Sequence, residues 1–205
     1  MMTIKCAILF SGHGSNMQNL IESLHNQSFS HKQGHARIEI ALTLCNNKNA
    51  YGITRAHHLG IPCELLPHRD YASRESYDEA LARALEKAGV EYVFLAGFMR
   101  ILGATFTRKF KTINIHPSFL PAHKGAHAIS DSYAAGSGGG VSVHWVNEEL
   151  DSGEIILQER LEKTPSESLE SFESRIHNLE YRLYPRAILH ALHLSPIKQA
   201  TKDLK

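Results

Sequence analysis

The sequence predicts an α/β fold: a Rossmann-like, mixed but mostly parallel sheet with helices on both faces. Three observations predict it. Short apolar runs bounded by glycine or serine alternate with segments whose apolar residues recur every three or four positions, in the order strand, helix, strand, helix. That alternation calls for parallel strands joined by right-handed helical crossovers. The last two strand-like runs are joined by a short link, which suits an antiparallel edge and makes the sheet mixed. A chain of 205 residues, 42% hydrophobic and 21% charged, can also build one core without disulfides.

Ile4–Phe10 reads as a buried strand, a short apolar run closed by Ser-Gly. Ser15 is placed to cap the next helix, whose apolar face is Met17, Leu20, Ile21 and Leu24. Arg37–Leu44 is a second strand, and Tyr51–Leu59 a short helix stopped by Gly60 and Pro62. Ser76-Tyr-Asp-Glu79 has capping-box spacing and is expected to start the third helix, with the chain already turning from Asp70. Tyr77, Leu81, Ala84, Leu85 and Ala88 form its stripe, and Gly89 ends it. Strand Glu91–Ala96, a turn at Gly97 and strand Thr112–Ile115 follow. A helix over Ala126–Ala135 and strands Val141–Val146 and Glu154–Leu161 lead to a long last helix. Leu169, Phe172, Ile176, Leu179 and Leu183 mark its buried side, and Pro185 is expected to kink or break it.

The net charge of +1 supplies no excess for a polyanion, so no nucleic-acid partner is expected. The longest early apolar stretch, Cys6–Phe10, is far short of the ~18 residues a membrane span needs. No small-residue cleavage site accompanies it, so a cytoplasmic protein without membrane attachment is expected. Cys6, Cys45 and Cys63 are an odd set without C-x-x-C spacing, which fits a reducing compartment. The 14 histidines are scattered with no H-E-x-x-H or Cys/His cluster, and no metal is expected.

Ligands of open α/β sheets bind beyond the carboxyl ends of the strands. Four places follow from that rule. After the first strand, Ser11-Gly-His-Gly-Ser-Asn16 opens a helix, where free N–H groups and the helix dipole favour an anion. Met17 stands where a dinucleotide fingerprint needs its third glycine, and no Gly-Lys-Ser/Thr follows. A monophosphate fits better, the alternative being an ordinary strand–helix turn. Ala96-Gly-Phe-Met-Arg-Ile-Leu102 suits a flat aromatic ligand, or is a buried connector with a snorkelling Arg100.

Asn114 and His116 share one side of their strand by period-two alternation, and Pro117 holds His116 extended at its end. An amide donor beside an imidazole suits stabilising an oxyanion and moving a proton. Asp151, in the turn Asn147–Gly153, is either a turn former or a partner for His116 if the fold unites them.

Taken in order, these segments resemble the phosphoribosylglycinamide formyltransferases, a folate-dependent family of purine synthesis. Ser11–Asn16 is similar to the family's phosphate loop, Ser73-Arg74-Glu75 to its folate-contacting arginine segment, and Ala96–Leu102 to its pterin-site segment. Asn114-Ile-His-Pro-Ser-Phe-Leu-Pro121 resembles the shared formyltransferase signature. Ser142-Val-His-Trp and Glu149-Leu-Asp-Ser-Gly153 resemble the segment that brings the catalytic aspartate, and Glu180 a substrate-binding position on the last helix. Two departures stand out: His13 sits where asparagine or arginine is common, and Ala122-His-Lys-Gly125 replaces an aromatic-Pro-Gly stretch.

The resemblance implies the formyltransferase fold in one domain over 1–205, with a phosphate-binding half over about 1–100 and a catalytic and folate half over about 101–205. It implies transfer of a formyl group from 10-formyltetrahydrofolate, as co-substrate, to the amine of 5'-phosphoribosylglycinamide, by direct amine attack through a tetrahedral oxyanion. Asn114, His116 and Asp151 would be catalytic. Gly14, Ser15, Asn16 and Glu180 would bind the glycinamide substrate. Arg74, Met99, Arg100, Ile101, Leu102 and again Asn114 would hold the folate. The partners would be these small molecules, the chain a monomer or homodimer.

Three rival readings stand beside it. A formyltetrahydrofolate hydrolase would use the same three residues with water as acceptor. It is expected to carry a further N-terminal domain, and the phosphate loop favours a phosphorylated acceptor instead. A methionyl-tRNA formyltransferase shares the Asn-x-His signature but is expected to need an RNA-binding domain and a positive surface. A non-catalytic folate or sugar-phosphate binder would keep the loops and lose part of the triad.

Overall fold

A computed structural model describes residues 1–136 and 138–197; Ser137, inside the Gly136–Gly140 run, and the last eight residues of the expected domain lie outside the described residues. Along the chain come β1 (Met2–Phe10), α1 (Ser15–Leu24), β2 (Ser28–His31), β3 (Gly34–Cys45), α2 (Gly52–His58) and β4 (Cys63–Leu65). A 3-10 turn (His68–Asp70) precedes α3 (Arg74–Lys87), β5 (Tyr92–Leu95), α4 (Ala104–Lys109) and β6 (Lys111–His116). Then follow α5 (Ala128–Ala135), β7 (Gly139–Trp145), β8 (Ile155–Leu161), α6 (Leu169–Ala191) and β9 (Ser195–Pro196).

The strands form one nine-stranded sheet in the order β8-β7-β6-β5-β1-β3-β2-β9, with β4 also paired to β3. Its centre is parallel, since β1 pairs in parallel with β3 and β5, and β5 with β6. The β6–β7 and β7–β8 pairs are antiparallel, as the short final link predicts. The opposite edge is antiparallel too, because β2 turns back on β3 at Gly34, whose φ is +120°.

Strand β1 lies at the middle and is buried on both faces. Ile4, Cys6, Ile8 and Phe10 face one core with Met17, Leu20, Leu24, Ile176, Leu183 and Tyr184 of α1 and α6. Ala7 and Leu9 face the other, with Leu81 and Leu85 of α3 and Phe106 of α4. Each large side chain fully buried this way contributes roughly 1.5–3 kcal/mol. The Tyr184 hydroxyl is shared between the carbonyls of Leu95 (2.9 Å) and Ile113 (3.0 Å), which ties α6 to the two strands beneath the candidate site.

Four expectations need correction. Ser15 is the first helical residue of α1; the cap is Gly14, in the left-handed region at φ +76°. Helix α3 starts three residues early, because Ser73 and Ser76 form the reciprocal capping box: Ser76 N–H donates to Ser73 Oγ (3.2 Å) and Ser73 N–H to Ser76 Oγ (3.1 Å). Pro185 does not break α6, which runs on to Ala191. The carbonyl that Pro185 cannot engage, on Tyr181, accepts instead from Asn19 Nδ2 at 3.0 Å. Finally, β2, β4 and α4 are additional elements, each too short or too polar to show a period.

Candidate active site

The carboxyl ends of β1, β5 and β6 lie side by side in the parallel part of the sheet. Strand β6 ends in His116, which is 5% exposed, with Asn114 two residues before it. Asp151, 8% exposed, lies in the turn after β7. Strand β7 runs antiparallel to β6, yet the turn returns Asp151 Oδ2 to 3.4 Å from His116 Nδ1.

That turn is built to hold a bent backbone. Asn147 Oδ1 accepts from Glu149 N–H (3.0 Å) and from the Ser152 hydroxyl (3.3 Å). Asp151 sits in the left-handed region at φ +48°, a conformation Asp tolerates better than most residues. A side chain at Gly153 would lie 1.6 Å from the Trp145 carbonyl oxygen, so only glycine fits.

The other side of the pair is the Ala122–Gly125 segment. His116 Nε2 lies 2.9 Å from the His123 carbonyl, and Gly125 N–H donates to Asp151 Oδ2 at 2.9 Å. The ring thus has a carbonyl at one nitrogen and a carboxylate at the other. Two acceptors suit the imidazolium, which donates from both nitrogens. Leu120–Pro121, just before this segment, is a cis peptide.

Burial alone would raise the Asp151 carboxyl. The Gly125 N–H and the charge of His116 outweigh it and hold the carboxyl below the usual carboxylate range. The Gly125 bond is the short contact among these; His144 Nε2, 3.8 Å from Asp151 Oδ1, stands outside hydrogen-bond reach.

A second cluster surrounds the N-terminus of α1. Ser11 N–H donates to Gly97 O (3.0 Å), Asn47 Nδ2 to Ser11 O (3.2 Å) and Gly52 N–H to Gly12 O (3.1 Å), which fixes the loop. Gly14 is obligatory: a Cβ there would sit 2.6 Å from Gly52 Cα. Ser15 and Asn16 follow in the first turn, and Asn16 Oδ1 is buried without a protein partner. Glu180, 5% exposed on α6, which packs beside α1, contacts His177 Nδ1 at 2.7 Å.

Arg74, Arg100 and Ile101 line a polar cavity of about 210 Å³ with His68, Tyr71, Ser73 and Tyr77. The His68 Nδ1 and Tyr77 hydroxyl atoms are buried there without protein partners. Met99 is 64% exposed, whereas the Leu102 side chain is in the core beneath. Met99 N–H donates to Ser11 Oγ at 2.8 Å, so the loop after β5 and the loop after β1 meet. Asp78 anchors the far end of that segment by accepting from Gly103 N–H at 2.7 Å, and burial pushes its carboxyl up.

Asn114, His116 and Asp151 therefore converge, and the other expected residues fall into two flanking groups. Sequence reasoning named the segments that hold His144 and His123 without giving either a role, and missed His177 and Asp78. The i, i+3 spacing of His177 and Glu180 carried a readable signal; the His116–His123 contact, through a backbone carbonyl, carried none. Among the described residues no group of three or more His, Cys, Asp or Glu is gathered to hold a metal ion, and no helix is long and apolar enough to cross a membrane.

Fold and site together define a class: an α/β protein with an anion-type loop beside a buried amide–imidazole–carboxylate group, equipped for acyl-group transfer. Residues 4–188 match the formyl transferase family model. The chain belongs to the formyl transferase family, and within it to the phosphoribosylglycinamide formyltransferases.

The phosphoribosylglycinamide formyltransferase of Haemophilus influenzae is 36% identical over 187 residues, covering 90% of this chain and 85% of that protein. The trifunctional purine biosynthetic protein adenosine-3 of Drosophila pseudoobscura is 40% identical over 210 residues, 98% of this chain. The chain spans only 15% of that longer relative. The crystal structure of phosphoribosylglycinamide formyltransferase from Campylobacter jejuni superposes with a TM-score of 0.88 at 45% identity, covering 93% of this chain and 98% of that one. The hydrolase alternative finds no support among these relatives.

Proposed function

We propose that the chain transfers the formyl group of 10-formyltetrahydrofolate to the amine of 5'-phosphoribosylglycinamide, a step of purine synthesis. The observation that carries this reading is the buried His116–Asp151 pair at 3.4 Å with Asn114 on the same strand. The named relatives support it.

The Ser11–Asn16 loop, with the free N–H groups opening α1, would take the substrate phosphate, and Glu180 would contact the same substrate. Arg74, Arg100 and Ile101 line the polar cavity, whose unpartnered polar atoms and guanidinium groups fit the anionic end of a folate. Met99 to Leu102 would hold its pterin. Bound there, the folate supplies the formyl carbon as an electrophile.

The amine attacks that carbon, and the carbonyl electrons move onto oxygen. Asn114 Nδ2–H and His116 N–H donate to the resulting oxyanion in a partly dry cleft, where fixed donors act most strongly. The oxyanion competes with the His123 carbonyl for His116 Nε2–H. Asp151 orients the His116 ring and helps relay the amine proton towards the leaving folate nitrogen. The oxyanion then collapses as the carbon–nitrogen bond to folate breaks. Holding both substrates in one cleft supplies a further share of the acceleration.

Spectroscopic measurement of folate product with and without the glycinamide acceptor tests this. Acceptor-dependent release is expected. Release without acceptor would mean hydrolysis, and none at all would mean a binder.

A further inference from the structure

His144 is 2% exposed, and both of its ring nitrogens are committed. Its Nδ1 lies 2.9 Å from the Trp145 carbonyl, which can only accept, so Nδ1 carries the proton. In the neutral ring Nε2 is then a bare acceptor. Asn114 Nδ2 is 3.2 Å from it, and the nearest Asp151 oxygen is out of hydrogen-bond reach at 3.8 Å. Asn114 and His144 stand directly opposite each other in the β6–β7 register, so the sheet itself fixes their separation.

A carboxamide can otherwise turn by half a rotation and exchange its oxygen for its nitrogen. An Nε2 acceptor admits only the NH2 end. One Nδ2 hydrogen is then spent on His144, and the other remains for an acceptor in the cleft.

We propose that His144 is the positioning residue of the site: the Trp145 carbonyl sets its tautomer, and its Nε2 lone pair aims the Asn114 amide as a donor at the reacting carbonyl. This rests on the reading of Asn114 as an oxyanion donor. It assigns His144 no contact with substrate. Without it the carboxamide could present its oxygen, which would repel the oxyanion it is meant to stabilise.

The test uses two isosteric replacements. His144→Asn keeps a donor at the Nδ1 position and loses the Nε2 acceptor; His144→Gln keeps an acceptor at the Nε2 position. We expect His144→Asn to lower kcat by roughly tenfold or more, the coupling usual for residues in contact, with KM little changed. His144→Gln should recover most of that loss. In an Asn114→Ala background, His144→Asn should cost less than about twofold further, because the group it aims is gone.

Full multiplication of the two losses, equal losses in the Asn and Gln variants, or undiminished turnover in His144→Asn would overturn the proposal. Near-full turnover of Asn114→Ala alone would instead overturn the oxyanion reading beneath it. Imidazole ¹⁵N NMR of the unaltered protein needs no variant to fold. It should show His144 protonated at Nδ1 and bare at Nε2 near neutral pH; a proton on Nε2 there would overturn the proposal.

Discussion

Asn19 of α1 donates its side-chain amide to the carbonyl of Tyr181 in α6, at 3.0 Å. Tyr181 is the residue whose carbonyl an ordinary helix would bond to position 185, where proline has no N–H. The two helices are thus joined at the point where α6 lacks a bond of its own.

Asn19→Ala should therefore leave that carbonyl unpaired and cost about 1–2 kcal/mol in urea unfolding. Combined with Pro185→Ala, which restores a backbone N–H, the same change should cost less. Equal costs in both backgrounds would show that the amide does not serve this carbonyl.

Gly153→Ala should impair catalysis far more than stability. The added methyl would meet the Trp145 carbonyl oxygen, so the 147–153 turn must shift and carry Asp151 with it. A fall in kcat of about 10²-fold is expected, since small misplacements of reacting groups cost that much. Steady-state kinetics beside a thermal melt separates the two effects.

How far the sequence disclosed this structure depends on what each element is made of. The continuous buried run of β1 and the stripe of α6 are legible directly, the first as an unbroken apolar stretch and the second because a large apolar side chain recurs every three or four residues. Strand β2 has only Phe29 to bury, so no pattern announces it. The start of α3 lies earlier than the Ser76–Glu79 spacing suggests, because Ser73 and Ser76 make the capping box instead. Asn114 and His116 could be paired by alternation, but Asp151 could not be joined to them from spacing. Its approach depends on a left-handed residue and a turn packed against Trp145. The segment of His144 could be singled out, but not its role, which lies across the sheet in a register only the fold creates.

Acid should unfold the protein partly through Glu167. Burial alone would raise its carboxyl, but the Thr164 N–H, the Arg175 guanidinium and the Ser171 hydroxyl hold it down at about 2. A carboxylate lowered from its ordinary 4.5 adds stability that is complete above that value and lost as the pH falls towards about 2. Glu167→Gln should flatten the decline in Tm over that window; an unchanged slope would remove Glu167 from the account.

His177 works in the opposite direction. Its bond to Glu180 raises it above the ordinary histidine value of 6.5, against a smaller opposing effect of burial. The stability it adds is complete below 6.5 and is lost as pH rises through the higher folded value. Glu180→Gln should abolish that alkaline loss, read as Tm against pH. The same variant should weaken binding of the phosphorylated acceptor, read as a raised KM.

The central claim is that a buried imidazole, paired with a carboxylate neighbour, acts with Asn114 on a developing oxyanion. Acceptor-dependent formation of folate product by Asn114→Ala, His116→Ala and Asp151→Asn, each verified as folded, measures it most directly. The account predicts a kcat lower by about 10²–10³-fold for loss of either donor, with a comparable fall for Asp151→Asn. Near-full turnover in Asn114→Ala or His116→Ala would contradict it.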